Sequence, residues 1–214
     1  MGGNFQIGTW ASIFGQEYTE RNTFNSRDLN KLYIKEYSIS REEMNKEFLS
    51  GLALEDGNIL EVGCNVGNQL RLLQEMNFNN LYGIELQSYA VEKAKSLTQE
   101  INIIKATGDN IPFKDKFFDL VFTSGVLIHI SPENINSVLD EIYRCSKEYI
   151  WGFEYYADEY TEVAYRGNTG LLWKANFAKL YLERFADLEL IKEVKYKYTD
   201  NDNVDSMFLL RKNK

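Results

Sequence analysis

The sequence predicts an α/β fold: an open, mostly parallel seven-stranded sheet with a C-terminal antiparallel hairpin and an N-terminal helical cap. Three observations carry that expectation. From residue 58 onward, apolar runs of strand length alternate with amphipathic stretches of helical period, an order that builds parallel strands joined by right-handed crossovers. The first run, "NILEVGCNVGNQLRLL", ends among glycines and passes at once into a helical pattern, as a chain does when its backbone must approach a ligand. Near the end, "LELIKEVKYKYT" and "SMFLLRK" flank the turn-rich "DNDN", the pattern of a hairpin.

Residues 1–52 read as the helical cap. Within "SREEMNKEFLSGL", Ser40 is an N-cap with Glu43 three residues on, and Met44, Phe48 and Leu52 recur at helical spacing. Residues 53–214 read as the core of the same single domain. Its strands are expected at 58–62, 81–85, 101–106 and 118–124, with helices from about Gly67 to Met76 and over 89–98. Ser131-Pro132 reads as the N-cap and first position of a further helix, whose buried stripe is Ile135, Val138, Leu139 and Ile142. "EYIWGFEYY" is the next strand, and a helix is expected from about Trp173 to Arg184 before the hairpin.

Composition narrows the function. A chain of 214 residues with 44% hydrophobic content is long enough to bury a substantial core. The formal charge of −8, without a Lys/Arg block, argues against a broad grip on a phosphate backbone, so no nucleic-acid partner is expected. Cys64 and Cys145 lie in apolar-periodic segments without metal-ligand spacing; no metal is expected, and a reducing, cytoplasmic compartment suits them. No run approaches the length that spans a bilayer, and no membrane partner is expected.

Gly63 and Gly67 fall where the first strand must turn into a helix whose first N–H groups are free. A dinucleotide fingerprint would place glycine at 63, 65 and 68, but the chain has Gly63, Asn65 and Asn68, which weakens a nicotinamide reading. The alternative, acidic-x-Gly-x-Gly-x-Gly, is met by Glu61, Gly63 and Gly67, with Asn65 at the middle position. Asn is among the few residues that tolerate a positive φ, so the turn survives. Glu85 closes the second strand 18 residues beyond Gly67, where a carboxylate can accept both hydroxyls of a ribose.

Through these residues, and through "TGDNIPF" and "FFDLVFTSGVLIHI" further on, the chain resembles the class I S-adenosylmethionine-dependent methyltransferases, which implies a Rossmann-like sheet and S-adenosylmethionine as cofactor. The resemblance places the cofactor on Glu61, Gly63, Cys64, Asn65 and Gly67. It places the ribose on Glu85 beside Leu86, the adenine beside Asp109, Asn110 and Ile111, and the methyl donor above Ser124. Cys64 reads as a buried structural thiol rather than a nucleophile. At its edges, "FGQEYTERN", "FEYY" and "YRGNTGLLWKANFA" are similar to the methyltransferases associated with pseudaminic-acid biosynthesis. That narrower resemblance implies a small-molecule acceptor, a sugar, nucleotide-activated sugar or surface-glycan precursor.

Methyl transfer asks a protein to orient nucleophile and methyl, exclude water and accept a proton where the nucleophile carries one. His129, the only histidine, has an ordinary pKa of about 6.5 that suits a base; the alternative is a loop-stabilising or packing role. Glu154 and Tyr155 end the fifth strand as further catalytic candidates, against aromatic packing as the alternative. Trp10, Tyr156, Arg166, Trp173 and Lys174 are candidate acceptor contacts, since an indole face suits a pyranose and a guanidinium suits an anion. Tyr18 and Asn22, four apart, share a helix face and could hold the cofactor's amino-acid end under a lid. Competing readings are a methyltransferase of proteins or other macromolecules, a non-catalytic cofactor-binding subunit and a nicotinamide enzyme.

Overall fold

The computed structural model describes residues 2–213, with side chains from Gln6 onward. Seven strands form one sheet in the order β3-β2-β1-β4-β5-β9-β8. β1 (Asn58–Val62), β2 (Asn80–Glu85), β3 (Asn102–Lys105), β4 (Phe118–Ser124) and β5 (Ser146–Tyr155) run parallel. β9 (Val204–Lys212) lies antiparallel to β5, and β8 (Leu188–Lys197) antiparallel to β9. This is the expected Rossmann-like sheet with its terminal hairpin. β1 pairs with β2 on one side and β4 on the other, so the strand order reverses there; a crevice opens beyond the carboxyl ends at such a switch point.

Period-two alternation sorts the strand residues onto two faces. Ile59, Phe122 and Trp151 face one core, completed by Tyr33, Met44 and Phe48 of α3 (Ser26–Tyr37) and α4 (Arg41–Leu49) and by Leu70 and Leu73 of α5 (Asn68–Glu75). Leu60, Val121 and Ile150 face the other, completed by Val138, Leu139 and Ile142 of α7 (Ile135–Cys145) and Ala178 and Tyr181 of α8 (Phe177–Arg184). Each fully buried large aliphatic contributes roughly 1.5–3 kcal/mol of burial. α6 (Ser88–Leu97) joins β2 to β3, and α1 (Gly2–Trp10) and α2 (Ile13–Arg21) complete the N-terminal segment.

The α4 cap forms as expected: the Glu43 amide donates to Ser40 Oγ at 3.2 Å while the Ser40 amide donates to the Glu43 carboxylate at 3.0 Å. Two boundaries differ from expectation. Ser131 does not cap α7, which begins at Ile135 after the turn in which the Asn134 amide donates to Ser131 O. The Ser131 amide donates instead to Gln6 Oε1 of α1 at 3.2 Å. Trp173 is not helical: β7 (Trp173–Lys174) pairs with β6 (Thr161–Glu162) in a separate two-stranded sheet. The helix starts only at Phe177, where the Asn176 side chain accepts from the Lys179 amide at 3.0 Å. No helix among the described residues is long and apolar enough to cross a membrane.

Candidate active site

The turn after β1 is fixed by backbone geometry. Gly63 has φ +72°, and a β-carbon there would lie 2.7 Å from Val126 Cγ2; the Gly63 and Cys64 amides donate to Ile84 O at 2.8 and 3.0 Å. Asn65 adopts φ +47°, the left-handed conformation that asparagine tolerates, and Gly67 at φ +74° precedes α5. This geometry aims the Asn65 amide at Glu85, whose Oε2 accepts it at 2.9 Å, while Oε1 accepts the Gln87 amide at 2.8 Å. Burial raises the Glu85 pKa and the amides partly offset it. Glu61, 3% exposed, leaves Oε2 without a hydrogen-bond partner. Burial pushes its pKa well above the usual carboxylate range, with Arg41 acting in the opposite direction.

Beyond β4, the loop through Ser124, Gly125 and Val126 is held from beneath by Glu154. Its carboxylate accepts the Val126 amide at 3.0 Å and the Ile128 amide at 3.4 Å, and burial raises its pKa to about 7. His129 follows on a single 3-10 turn. Its Nδ1 lies 2.8 Å from Leu171 O; a carbonyl only accepts, so Nδ1 carries the proton and Nε2 is left with the lone pair. Burial lowers the His129 pKa to about 4, so the ring is neutral at pH 7.

α1 and α2 lie across this edge. Gln6 Nε2 donates to His129 O at 2.9 Å, and Thr19 Oγ1 donates to Asn65 Oδ1 at 2.9 Å. The two helices meet so closely that a β-carbon on Gly15 would fall 1.9 Å from Trp10 O. Trp10 packs edge-on against Phe14 (5.3 Å between centroids) and Tyr18 (5.4 Å) and tilted on His129 (4.4 Å), and Tyr165 completes this aromatic wall 5.7 Å from His129.

Between the β1 turn and the wall lies a cavity of about 310 Å³. Among the expected site residues, Glu61, Gly63, Cys64, Asn65, Glu85, Leu86 and Asp109 line its first side, and Ser124, His129, Trp10, Tyr18 and Asn22 the second. Cys64 is buried and its thiol pKa raised well above the ordinary value by burial, as suits an inert thiol. Other expected residues lie outside the lining. Gly67 packs against Thr98 and Ile103 instead, Asn110 is exposed beside it, and Ile111 is buried with its amide on Glu141 at 2.8 Å. Glu154 sits under the loop. Tyr155 and Tyr156 are half-buried, with Lys174 and Lys195 respectively over their rings at 5.9 and 3.5 Å. Arg166 is exposed beside Tyr165, and Trp173 is buried in its own packing. No cluster of three His, Cys, Asp or Glu side chains among the described residues could hold a metal ion.

Several lining residues carry no expectation from sequence. Gln6, Thr19 and Tyr33 reach the cavity only because distant segments pack together. Gln87 was within reach of a local argument, because it caps α6 through the Ala90 amide at 3.0 Å directly after Glu85.

Residues 60–149 match the family model described as "Methyltransferase domain". This stretch is similar to a methyltransferase domain. The match runs from within β1 through the cavity turn, Glu85, Asp109 and His129, and it indicates S-adenosylmethionine as the cofactor. The chain is 25% identical to the sterol 24-C-methyltransferase erg6 of Schizosaccharomyces pombe over 190 residues, 78% of this chain and 48% of that protein. It thus spans about half the length of that curated relative. In fold it is similar to the PH0226 protein of Pyrococcus horikoshii, with a TM-score of 0.63 at 17% identity over 96% of this chain and 95% of that one. It is also similar to an S-adenosylmethionine-dependent methyltransferase of Mesorhizobium loti, with a TM-score of 0.59 at 13% identity over 75% and 94%. The domain's cavity fits this cofactor on its own geometry: Gly63 leaves room that a β-carbon would fill, and Glu61 Oε2 and Trp10 Nε1 stand in the wall without partners.

Proposed function

We propose that the protein transfers a methyl group from S-adenosylmethionine to a small, sugar-like acceptor. The observation that carries this reading is one cavity with a carboxylate-bearing turn on one side and an aromatic wall on the other, covered by α1 and α2. Glu85 takes the ribose hydroxyls, Asp109 faces the adenine amino group, Glu61 offers its unpartnered oxygen to a cationic part of the cofactor, and Tyr18 and Asn22 border its amino-acid end. S-adenosylmethionine supplies a methyl on a positively charged sulfur, transferred by in-line displacement. The chain holds the reactants in register and keeps water out.

His129 Nε2 is the acceptor atom on the opposite side. With a pKa near 4 it is a weak base, better suited to orienting an acceptor hydroxyl by hydrogen bond than to holding its proton through the reaction. Trp10 and Tyr18 offer rings of the kind that pack on a pyranose, with Tyr165 backing Trp10 and His129 from outside the lining. The charged residues lining the cavity are Glu61, Glu85 and Asp109, with no Lys or Arg among them. That favours an uncharged sugar over a nucleotide-activated one, because a diphosphate would find no counter-charge. The surface-glycan precursor class rests on the sequence resemblance to the pseudaminic-acid-associated enzymes, and a small acceptor is favoured over a macromolecule by the cover of α1 and α2.

Calorimetry with S-adenosylhomocysteine and with NAD tests the cofactor. The first should bind and the second should not; the reverse outcome overturns the reading. Incubation with S-adenosylmethionine and a panel of neutral and nucleotide-linked sugars, read by mass spectrometry, tests the acceptor: methylation confined to the nucleotide-linked members would contradict an uncharged acceptor.

A further inference from the structure

Arg41, the first residue of α4, is 0% exposed and makes no ion pair among the described residues. A guanidinium in a dry core without a counter-ion is costly, so its surroundings matter. Its Nε donates to Asn45 Oδ1 at 2.8 Å, and its Nη1 donates to Tyr33 Oη at 2.9 Å and Ser124 Oγ at 3.2 Å. Its Nη2 has no partner. The plane sits 4.6 Å from the Phe153 ring centroid, 5.3 Å from Tyr33 and 5.4 Å from Trp151. Two of the three side chains it holds by hydrogen bonds, Tyr33 and Ser124, line the cavity, as does Glu61.

The sheet explains why this cation and that carboxylate share a compartment. Glu61 of β1 is in register with Phe122 of β4, and Phe122 with Trp151 of β5. The three side chains form a row on one face, and Arg41 lies over the Trp151 end of it. Both members of the pair have one unpartnered polar atom, Glu61 Oε2 and Arg41 Nη2.

We propose that Arg41 is a positioning residue of the donor site: it supplies the buried counter-charge that lets Glu61 hold a cationic part of the cofactor, and its fork fixes the Tyr33 and Ser124 hydroxyls where donor and acceptor meet. The proposal rests on the cofactor reading above. The groups facing Glu61 are Arg41 from α4, which favours its charged form, Glu85 from β2, which opposes it, and the Cys64 thiol in the turn, which stays protonated. Tyr33 from α3 stays protonated as well, its pKa raised by burial.

The test is the affinity for S-adenosylhomocysteine measured by calorimetry on the whole chain from about pH 5.5 to 8.5; the ligand's carboxyl stays charged throughout, and its amine loses charge only at the alkaline end, above about pH 8, away from the acid-side loss that reports Glu61. In the wild type, affinity should weaken below some midpoint pH as Glu61 takes a proton. Arg41→Met should move that midpoint up by about one unit or more, a loss of affinity that vanishes above both midpoints and approaches tenfold below them. Arg41→Lys, which keeps the charge but not the fork, should leave the midpoint in place. Glu61→Gln should bind weakly without the midpoint, and adding Arg41→Met to it should cost little more. Three outcomes overturn the proposal: a loss in Arg41→Met by the same factor at every pH, a midpoint that persists in Glu61→Gln, or one that Arg41→Lys raises by a unit. If Arg41→Met does not fold, the last two still decide. A wild type that binds no S-adenosylhomocysteine at any pH fails the cofactor reading itself, a result the variants do not imitate.

Discussion

The turn after β1 and the aromatic wall face each other across one cavity, yet they are assembled from opposite materials. The turn is local and made largely of backbone: three consecutive alternate positions, Gly63, Asn65 and Gly67, take positive φ, and Glu85 is gripped by the amides of Asn65 and Gln87. The wall is non-local and made of side chains: Trp10, Phe14 and Tyr18 come from the N-terminal helices, His129 from the loop after β4, and Tyr165 from the segment between β6 and β7. The turn is built within one short stretch of chain, whereas the wall exists only once segments far apart in sequence have packed together.

The strongest way to break the turn while sparing the wall is Gly63→Ala. The left-handed conformation costs an L-residue about 1–2 kcal/mol, and the new methyl would also displace Val126, 2.7 Å away. We expect at least about 3 kcal/mol in all, or roughly 100-fold weaker S-adenosylhomocysteine binding. Calorimetry checks it, and an affinity within twofold of wild type would show that the turn can relax.

That contrast also decides what was legible in the sequence. Glu61, Gly63, Asn65 and Glu85 could be read because strand, turn, helix and strand all lie between Asn58 and Glu85 and each residue type answers a local demand. Seven strands and their hairpin followed from the same local alternation. The start of α7 could not be read, because Ser131 gives its amide to Gln6 from the other end of the chain. Trp173 belongs to a two-residue strand whose partner, Glu162, no periodicity signals. Arg41 was the least legible of all: an arginine in the first turn of a capped helix reads as a solvated charge, and only the packing of α3 and α4 on β4 and β5 buries it.

Glu154 joins the two regions, since it holds the loop between Ser124 and His129, and its titration gives the next largest effect. Its folded pKa of about 7 is raised above the ordinary carboxyl value. The stability associated with its protonated form is therefore fully present below about pH 4.5 and lost as pH rises through about 7. Glu154→Gln stays neutral throughout and keeps an acceptor for the Val126 amide. Between about pH 5 and 8 the wild type should lose up to about 2–3 kcal/mol of unfolding free energy relative to this variant. Urea unfolding at the two pH values measures it; parallel changes in both proteins would place the Glu154 titration elsewhere.

Tyr165→Ala sharpens the comparison from the wall side. Tyr165 touches Trp10, Phe14 and His129 but is absent from the donor turn. Once an acceptor is in hand, its KM should rise by about fivefold, in line with the loss of roughly 1 kcal/mol of aromatic contact, while S-adenosylhomocysteine affinity stays within twofold. Equal losses for both ligands would mean that the two regions are not energetically separable.

Whether α1 and α2 move bears on how the two regions come to face each other at all. These helices are tied down by a handful of polar contacts: Gln6 on His129 O, Thr19 on Asn65, Asn68 Nδ2 on Asn22 O at 2.7 Å, and the Glu20–Lys93 ion pair at 2.8 Å. An exposed ion pair contributes only about 0–1 kcal/mol, so these contacts hold the lid far less firmly than the cores hold β1 or β5. A ligand that binds only the covered state stabilises it by about 2.7 kcal/mol at a hundred times its Kd. Amide exchange in residues 10–25 should therefore be fast relative to β1 without ligand, and slow by about 100-fold when S-adenosylhomocysteine is saturating. A cap that is permanently docked predicts something different: core-like protection of residues 10–25 before any ligand is added, unchanged afterwards. That result would make the wall a fixed surface, and the acceptor would have to enter past Trp10 rather than beneath a raised lid.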